Sequence, residues 1–164
     1  MKGYIMFRDM RRKNQLLSAD ETIEILKNGS SGVLALLGDN GYPYSVPMSY
    51  VYSDGRIYFH SAKSGHKTDA VKNCDKASFC VIAKDDVVPS EYTTYFKSVI
   101  AFGKIRIVNK KEEIINALHI LGEKYNPGHI NERAAEIDKF INNVCVLCFD
   151  IEHITGKAAK ELMK

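Results

Sequence analysis

The sequence predicts a mainly β fold: an antiparallel β-barrel of about six strands with peripheral helices. Three observations carry that expectation. Short segments alternate apolar and polar residues with a period of two, as in 44–52, where Val46, Met48, Tyr50 and Tyr52 share one parity. Hairpin-type turn signals, Asp39-Asn-Gly41 and Asp54-Gly55, separate neighbouring segments. Strands and helices do not alternate in the order that a doubly wound parallel sheet requires. The 164 residues suit one domain, with 1–17 as a charged N-terminal arm of little periodicity.

The elements follow in chain order. Ser18-Ala-Asp-Glu21 is a capping box, so a helix begins there and stops near Gly29. Strands are expected over 31–37, 44–52 and 56–60. A small-residue break at 61–65 and a short helix over 67–73 come next. Residues 76–83 alternate again, with Phe79, Val81 and Ala83 on one parity. The β-branched run 92–108 is a long strand in which Gly103 marks a bulge or a close backbone approach. Asn109 is the expected cap of a helix over 110–124, with Ile114, Ile115, Leu118 and Leu121 at helical spacing. A second helix over about 131–142 and a last strand over 144–154 complete the chain.

Composition narrows the function classes. An apolar share of 45% beside 26% charged residues is that of a folded soluble domain, not a disordered one. The net charge of +3 says little about partners, and the basic residues Lys2, Arg8, Arg11, Arg12 and Lys13 read as a solvated arm, not a nucleic-acid footprint. No apolar run approaches the roughly 20 residues of a membrane span, and no signal-peptide core is present. A cytoplasmic setting with reduced cysteines is therefore expected. Cys145 and Cys148 have CxxC spacing, but in a strand residues three apart face opposite sides, so both read as core cysteines. No HExxH or paired-histidine pattern suggests a metal, and no GxSxG elbow suggests a hydrolase. His119 sits among apolar helix positions as a helix residue, and His129 and His153 read as structural or solvated.

The informative segment is Tyr58-Phe-His-Ser-Ala-Lys-Ser-Gly-His-Lys-Thr-Asp-Ala70. A strand ends near His60, and a helix opens between Gly65 and Lys67. Such a helix start presents unpaired N–H groups and a positive dipole end. His66 and Lys67 add cationic donors, and Ser61 and Ser64 add hydroxyls. The combination suits an anion such as a phosphate, although neither a GxGxxG nor a P-loop pattern is present.

These residues, with Gly32-Val-Leu-Ala-Leu36, Pro43-Tyr-Ser-Val-Pro47-Met-Ser-Tyr50, Ser98-Val-Ile-Ala-Phe-Gly103-Lys104 and Ile154-Thr-Gly-Lys157, give the chain a wider likeness. In order and spacing it resembles the FMN-binding split-barrel family related to pyridoxamine 5′-phosphate oxidase, nearest its nitroimidazole-resistance (Nim-like) branch. The resemblance spans about 15–157. It implies FMN bound at the interface of a homodimer, a small-molecule substrate and FMN-dependent oxidoreductase activity, with nitroaromatics such as 5-nitroimidazoles as acceptors. Carried over, the strand holding Val46, Pro47, Met48 and Ser49 runs beside the flavin ring. His60, Ser61 and Ala62 lie near the ring and ribityl chain, and Gly65, His66 and Lys67 hold the phosphate. Ser98 adds a polar contact, Thr155–Lys157 approaches the cofactor, and His66 is the candidate acid or base. Met48, Tyr50 and Phe59 are the expected apolar slot for the ring. The oxidase proper has a basic residue near the start of its second strand, where this chain has Val46 and Pro47, and its arginine-rich substrate pocket is not evident. Both differences count against pyridoxamine phosphate oxidation. A flavin- or haem-binding protein without turnover is the rival class.

Overall fold

Seven strands form one antiparallel sheet: β1 (Ser31–Leu37), β2 (Pro43–Ser49), β3 (Val51–Ser53), β4 (Arg56–Ala62), β5 (Lys76–Val88), β6 (Thr93–Ile107) and β7 (Val144–Ala158). Their order is β2-β1-β5-β6-β7-β4-β3. Helices α1 (Ala19–Asn28), α2 (His66–Asn73), α3 (Lys111–Tyr125) and α4 (Ile130–Phe140) surround it. This is a computed structural model, and it describes residues 7–163; the start of the arm, with Lys2, lies outside the described residues. The edge strands β2 and β3 are consecutive and joined through Tyr50 alone. The sheet must therefore curl until its edges meet, which makes a barrel with one open seam.

The expected six strands become seven because 44–52 breaks at Tyr50. That residue is fully buried, and its hydroxyl donates to the Leu26 carbonyl at 2.7 Å. Its ring meets Phe79 edge-on at 4.8 Å. The Tyr50 N–H donates to the Tyr125 hydroxyl at 2.8 Å, so α3 supplies the bond that the ladder loses there. Tyr125→Phe strands that amide, and a stability loss of about 1–3 kcal/mol in urea unfolding is expected. An unchanged midpoint would mean that water replaces the phenol.

Local signals hold elsewhere. Ser18 and Glu21 form the reciprocal capping box: the Glu21 N–H donates to Ser18 Oγ at 3.2 Å and the Ser18 N–H to Glu21 Oε2 at 3.0 Å. Those bonds hold the Glu21 carboxyl below its ordinary pKa. Asp54 and Gly55 both have positive φ, 48° and 79°, as a two-residue hairpin turn between paired Ser53 and Arg56 requires. Asn109 is not the cap of α3; Lys110 occupies that position, with no side-chain cap bond. Strands β5 and β7 run past 83 and 154 because each pairs with β6 along its far half. Gly103 is a close approach: a Cβ there would lie 2.0 Å from the Asp150 carbonyl oxygen, beside a register shift in the β6–β7 ladder.

The barrel interior holds Leu26, Leu34, Phe59, Phe79 and Phe149, each fully buried. A second cluster packs Val51, Tyr58 and Val146 against Ala117 and Leu121 of α3. Cys145 belongs to the first cluster and Cys148 to the second, so the two thiols face opposite sides of β7. Burial pushes the Cys148 thiol up to about 11. All four cysteines are free. The arm lies along β7: Leu16 bridges Lys157, and Phe7 stacks on His153 at 4.9 Å. Among the described residues no helix is long and apolar enough to cross a membrane.

Candidate functional site

The loop from β4 into α2 builds the site. Residues 57 and 59 of β4 point into the barrel, and the strand leaves the sheet at Ala62. Gly65 caps α2 with φ of 133°, a backbone state that L side chains avoid. Having no side chain, it leaves the first-turn N–H groups of α2 without a side-chain acceptor. The Gly65 carbonyl instead accepts from the Thr68 hydroxyl at 2.8 Å and the Asp69 N–H at 3.1 Å, which fixes the helix start.

A cavity of about 400 Å³ opens over this start, lined by Tyr44, His60, Ser61, Ser64 and Thr68. Ala62, Gly65, His66 and Lys67 complete its lining. The His66 ring stacks on Tyr44 at 4.0 Å and 21°, and its Nε2 lies 3.8 Å from Asp39 Oδ2 in the β1–β2 turn. Lys67 reaches back to β2, its ammonium donating to Met48 Sδ at 3.1 Å. Burial lowers the Lys67 pKa from the ordinary lysine value, opposed in part by the Cys145 thiol. No carboxylate pairs with Lys67 among the described residues. A thioether is a weak acceptor, so this half-buried ammonium has no counter-charge among the described residues. No group of acidic, histidine or cysteine side chains suited to a metal ion exists among the described residues.

The structure thus gathers His60, Ser61, Ala62, Gly65, His66 and Lys67 around one cavity, with Met48 behind Lys67. It does not bring the other expected residues there. Val46 and Met48 point inward with the core, while Pro47 and Ser49 lie exposed on the edge strand. Ser98 pairs with Lys157, whereas Ala62 pairs with Val144 at the opposite end of β7. The expected apolar slot is corrected outright: Tyr50 and Phe59 are fully buried and Met48 is 7% exposed, so all three are core residues with no face free for a ring. Tyr44 was not anticipated. Its signal is the parity of β2, which carries Val46 and Met48 one step further to Tyr44.

These residues fit the phosphate end of a flavin: a half-buried ammonium, hydroxyls and open helix amides converge on one cavity. Within one chain they do not form an apolar envelope for its ring.

Fold and site define an open-seamed β-barrel with a cavity at the start of α2 lined by hydroxyls, His66 and Lys67. A family model described as pyridoxamine 5′-phosphate oxidase matches residues 18–158, and the chain belongs to that family. No curated protein matches the chain. Among solved structures it is similar to a candidate 5-nitroimidazole antibiotic resistance protein from Bacteroides thetaiotaomicron, at 21% identity over 87% of this chain and 86% of that one, with a TM-score of 0.75. It is likewise similar to an FAD and heme binding protein from Mycobacterium smegmatis, at 20% identity over 90% and 74%, with a TM-score of 0.75. An FAD-binding protein from Mesorhizobium loti shares 24% identity over 88% and 97%, with a TM-score of 0.60. At these identities the shared property is the fold.

Proposed function

We propose that this chain is an FMN-dependent oxidoreductase. In this reading it acts as a cytoplasmic homodimer and passes electrons from NADH or NADPH to a small nitroaromatic such as a 5-nitroimidazole. The observation that carries the cofactor is Lys67, a half-buried ammonium with no carboxylate partner among the described residues, set at the open start of α2. A phosphate there gains a charge-assisted bond without first breaking an ion pair. The FAD descriptions of two neighbours support a flavin, and the nitroimidazole description of a third supports the acceptor.

The flavin, when bound, supplies the redox chemistry. The chain's residues bind and orient it. Lys67 and the α2 amides hold the phosphate, and Ser61 and Ser64 donate to its remaining oxygens. Stacked Tyr44 and His66 wall the cavity. His66, with Nε2 toward Asp39 at the cavity edge, is the candidate acid or base.

Register supports the dimer. Ser98 of β6 pairs with Lys157, and Thr155 and Lys157 lie at the far end of β7 from Val144, which pairs with Ala62 of the phosphate cavity; a flavin that meets both sets is one shared with a partner. Ile82, Ile100 and Phe102 lie on the outer face that Ser98 shares and are 65%, 41% and 40% exposed, a surface suited to covering.

The test is reconstitution with FMN, then anaerobic addition of NADH or NADPH and a nitroimidazole. Retained flavin colour, bleaching by the donor and reoxidation by the acceptor are expected. Colour without bleaching would make the chain a carrier, a Soret band would make it a haem protein, and formation of pyridoxal phosphate would make it an oxidase. Dilution into monomers is expected to release FMN; a monomer that keeps it tightly would overturn the shared site.

A further inference from the structure

Two further cavities lie along α3, one of about 450 Å³ and one of about 420 Å³. Both fall in the range of small-molecule sites, roughly 300–1,000 Å³. Ile141 and Val144 line both, so the two adjoin between α4 and β7. Lys111, Ile114, Leu118 and Gly122 form one stripe of α3 that runs from the first cavity into the second. At 1.5 Å per residue that stripe is about 16 Å long.

The two ends differ in chemistry. The first cavity holds Lys63 and Lys111 and no carboxylate. Neither ammonium forms an ion pair among the described residues. The start of α3 lies at this end, and its cap residue Lys110 gives the first-turn amides no side-chain acceptor. Of that turn's acids, Glu113 is taken by Arg106 at 2.7 Å and Glu112 lies exposed outside the lining. The second cavity is mainly apolar, walled by Leu118, Ile137, Phe140 and the shared Ile141 and Val144. Its one cation, Arg133, is held by Glu123 at 2.6 Å, and Glu132 and Glu136 also line it.

We infer that the two cavities form one site for an amphipathic organic anion, a free fatty carboxylate of medium chain length. The head lies between Lys63 and Lys111 at the start of α3, where the carboxamides of Asn109 and Asn142 can donate to it. The chain follows the α3 stripe past Ile114 and the shared pair to Leu118 and Phe140. Charge fixes its direction: Glu132 and Glu136 repel a carboxylate from the far end, whereas the near end has no acid in its lining. A small inorganic anion would leave the apolar end empty, and an uncharged hydrocarbon would leave two ammonium groups unanswered. The site shares no lining residue with the cavity at Lys67, so it stands apart from the flavin reading.

The full chain is titrated by calorimetry with octanoate, butyrate and octanol, with and without FMN, alongside Lys111→Gln and Phe140→Ser. Both positions are exposed, and octanol binding by Lys111→Gln checks that its fold is kept. Octanoate is expected to bind about tenfold or more tighter than butyrate, at about two- to fourfold per methylene, and about tenfold tighter than octanol. Lys111→Gln is expected to lose about tenfold for octanoate and nothing for octanol, and Phe140→Ser about threefold or more for both. FMN is expected to leave these values unchanged, and octanoate binding by a chain that takes up no FMN would support the site while the flavin reading fell. Equal affinity for octanoate and octanol would remove the head site, and equal affinity for octanoate and butyrate would remove the tail site; either overturns the inference. Displacement of octanoate by FMN would move it to the flavin cavity, with the same consequence. Lys111-dependent binding to phosphatidylglycerol vesicles, with none to free octanoate, would assign the face to a membrane surface and overturn the free-acid reading.

Discussion

Lys67→Ala is expected to weaken FMN about ten- to a hundredfold while riboflavin stays within about twofold, because only FMN carries the phosphate. The size follows from the loss of a charge-assisted hydrogen bond. Lys67 is partly desolvated and touches only Met48 Sδ, so a phosphate replaces no ion pair. Isothermal titration of both ligands checks this, and equal losses would remove the phosphate from Lys67. Lys67→Arg is expected to restore part of the affinity. A pH dependence follows with a fixed sign. Burial lowers the Lys67 pKa in the empty site, and a bound phosphate raises it. FMN affinity is therefore full below the empty-site pKa and falls as the pH rises through it toward the bound-state value. Lys67→Ala is expected to flatten this alkaline limb.

Gly103→Ala is expected to be the most damaging single methyl in the molecule, costing about 3 kcal/mol or more. Its Cβ would lie 2.0 Å from the Asp150 carbonyl oxygen, and that oxygen is backbone, which no rotamer change can move aside. Relief requires β6 and β7 to separate at the register shift beside Gly103. Thermal or urea unfolding measures the loss, and a near-native midpoint would show that the two strands part at little cost. By contrast, Gly41 and Gly55 have open space for a Cβ and suffer only from positive φ. Alanine at those turns is expected to cost about 1 kcal/mol.

Features encoded within a few residues were legible in the sequence. The Ser18–Glu21 box, the Asp54-Gly55 turn, the opposed faces of Cys145 and Cys148, and the close approach at Gly103 each follow from local chemistry. What escaped depends on distant partners. The break at Tyr50 is made by a hydroxyl from Tyr125, 75 residues away. Met48 and Phe59 have the composition of a ring slot, and only the assembled barrel shows them turned into its core. The site divides in the same way. The run from His60 to Lys67 is contiguous, so its convergence on one cavity was readable, whereas the stack of His66 on Tyr44 needs β2 beside α2. The distance from Ser98 to that cavity is set by the register of β7 with two neighbours at once, which no local pattern records.

The position of β7 between β6 and β4 has a consequence for synthesis. The β3–β4 hairpin closes early, but Arg56–Ala62 has no second neighbour until Val144–Asp150 is made. A chain emerging from the ribosome therefore carries one exposed β4 edge from residue 62 until β7 is made. Closure of the barrel waits for its last strand, and a nascent chain arrested before residue 144 is a natural client for a holding chaperone.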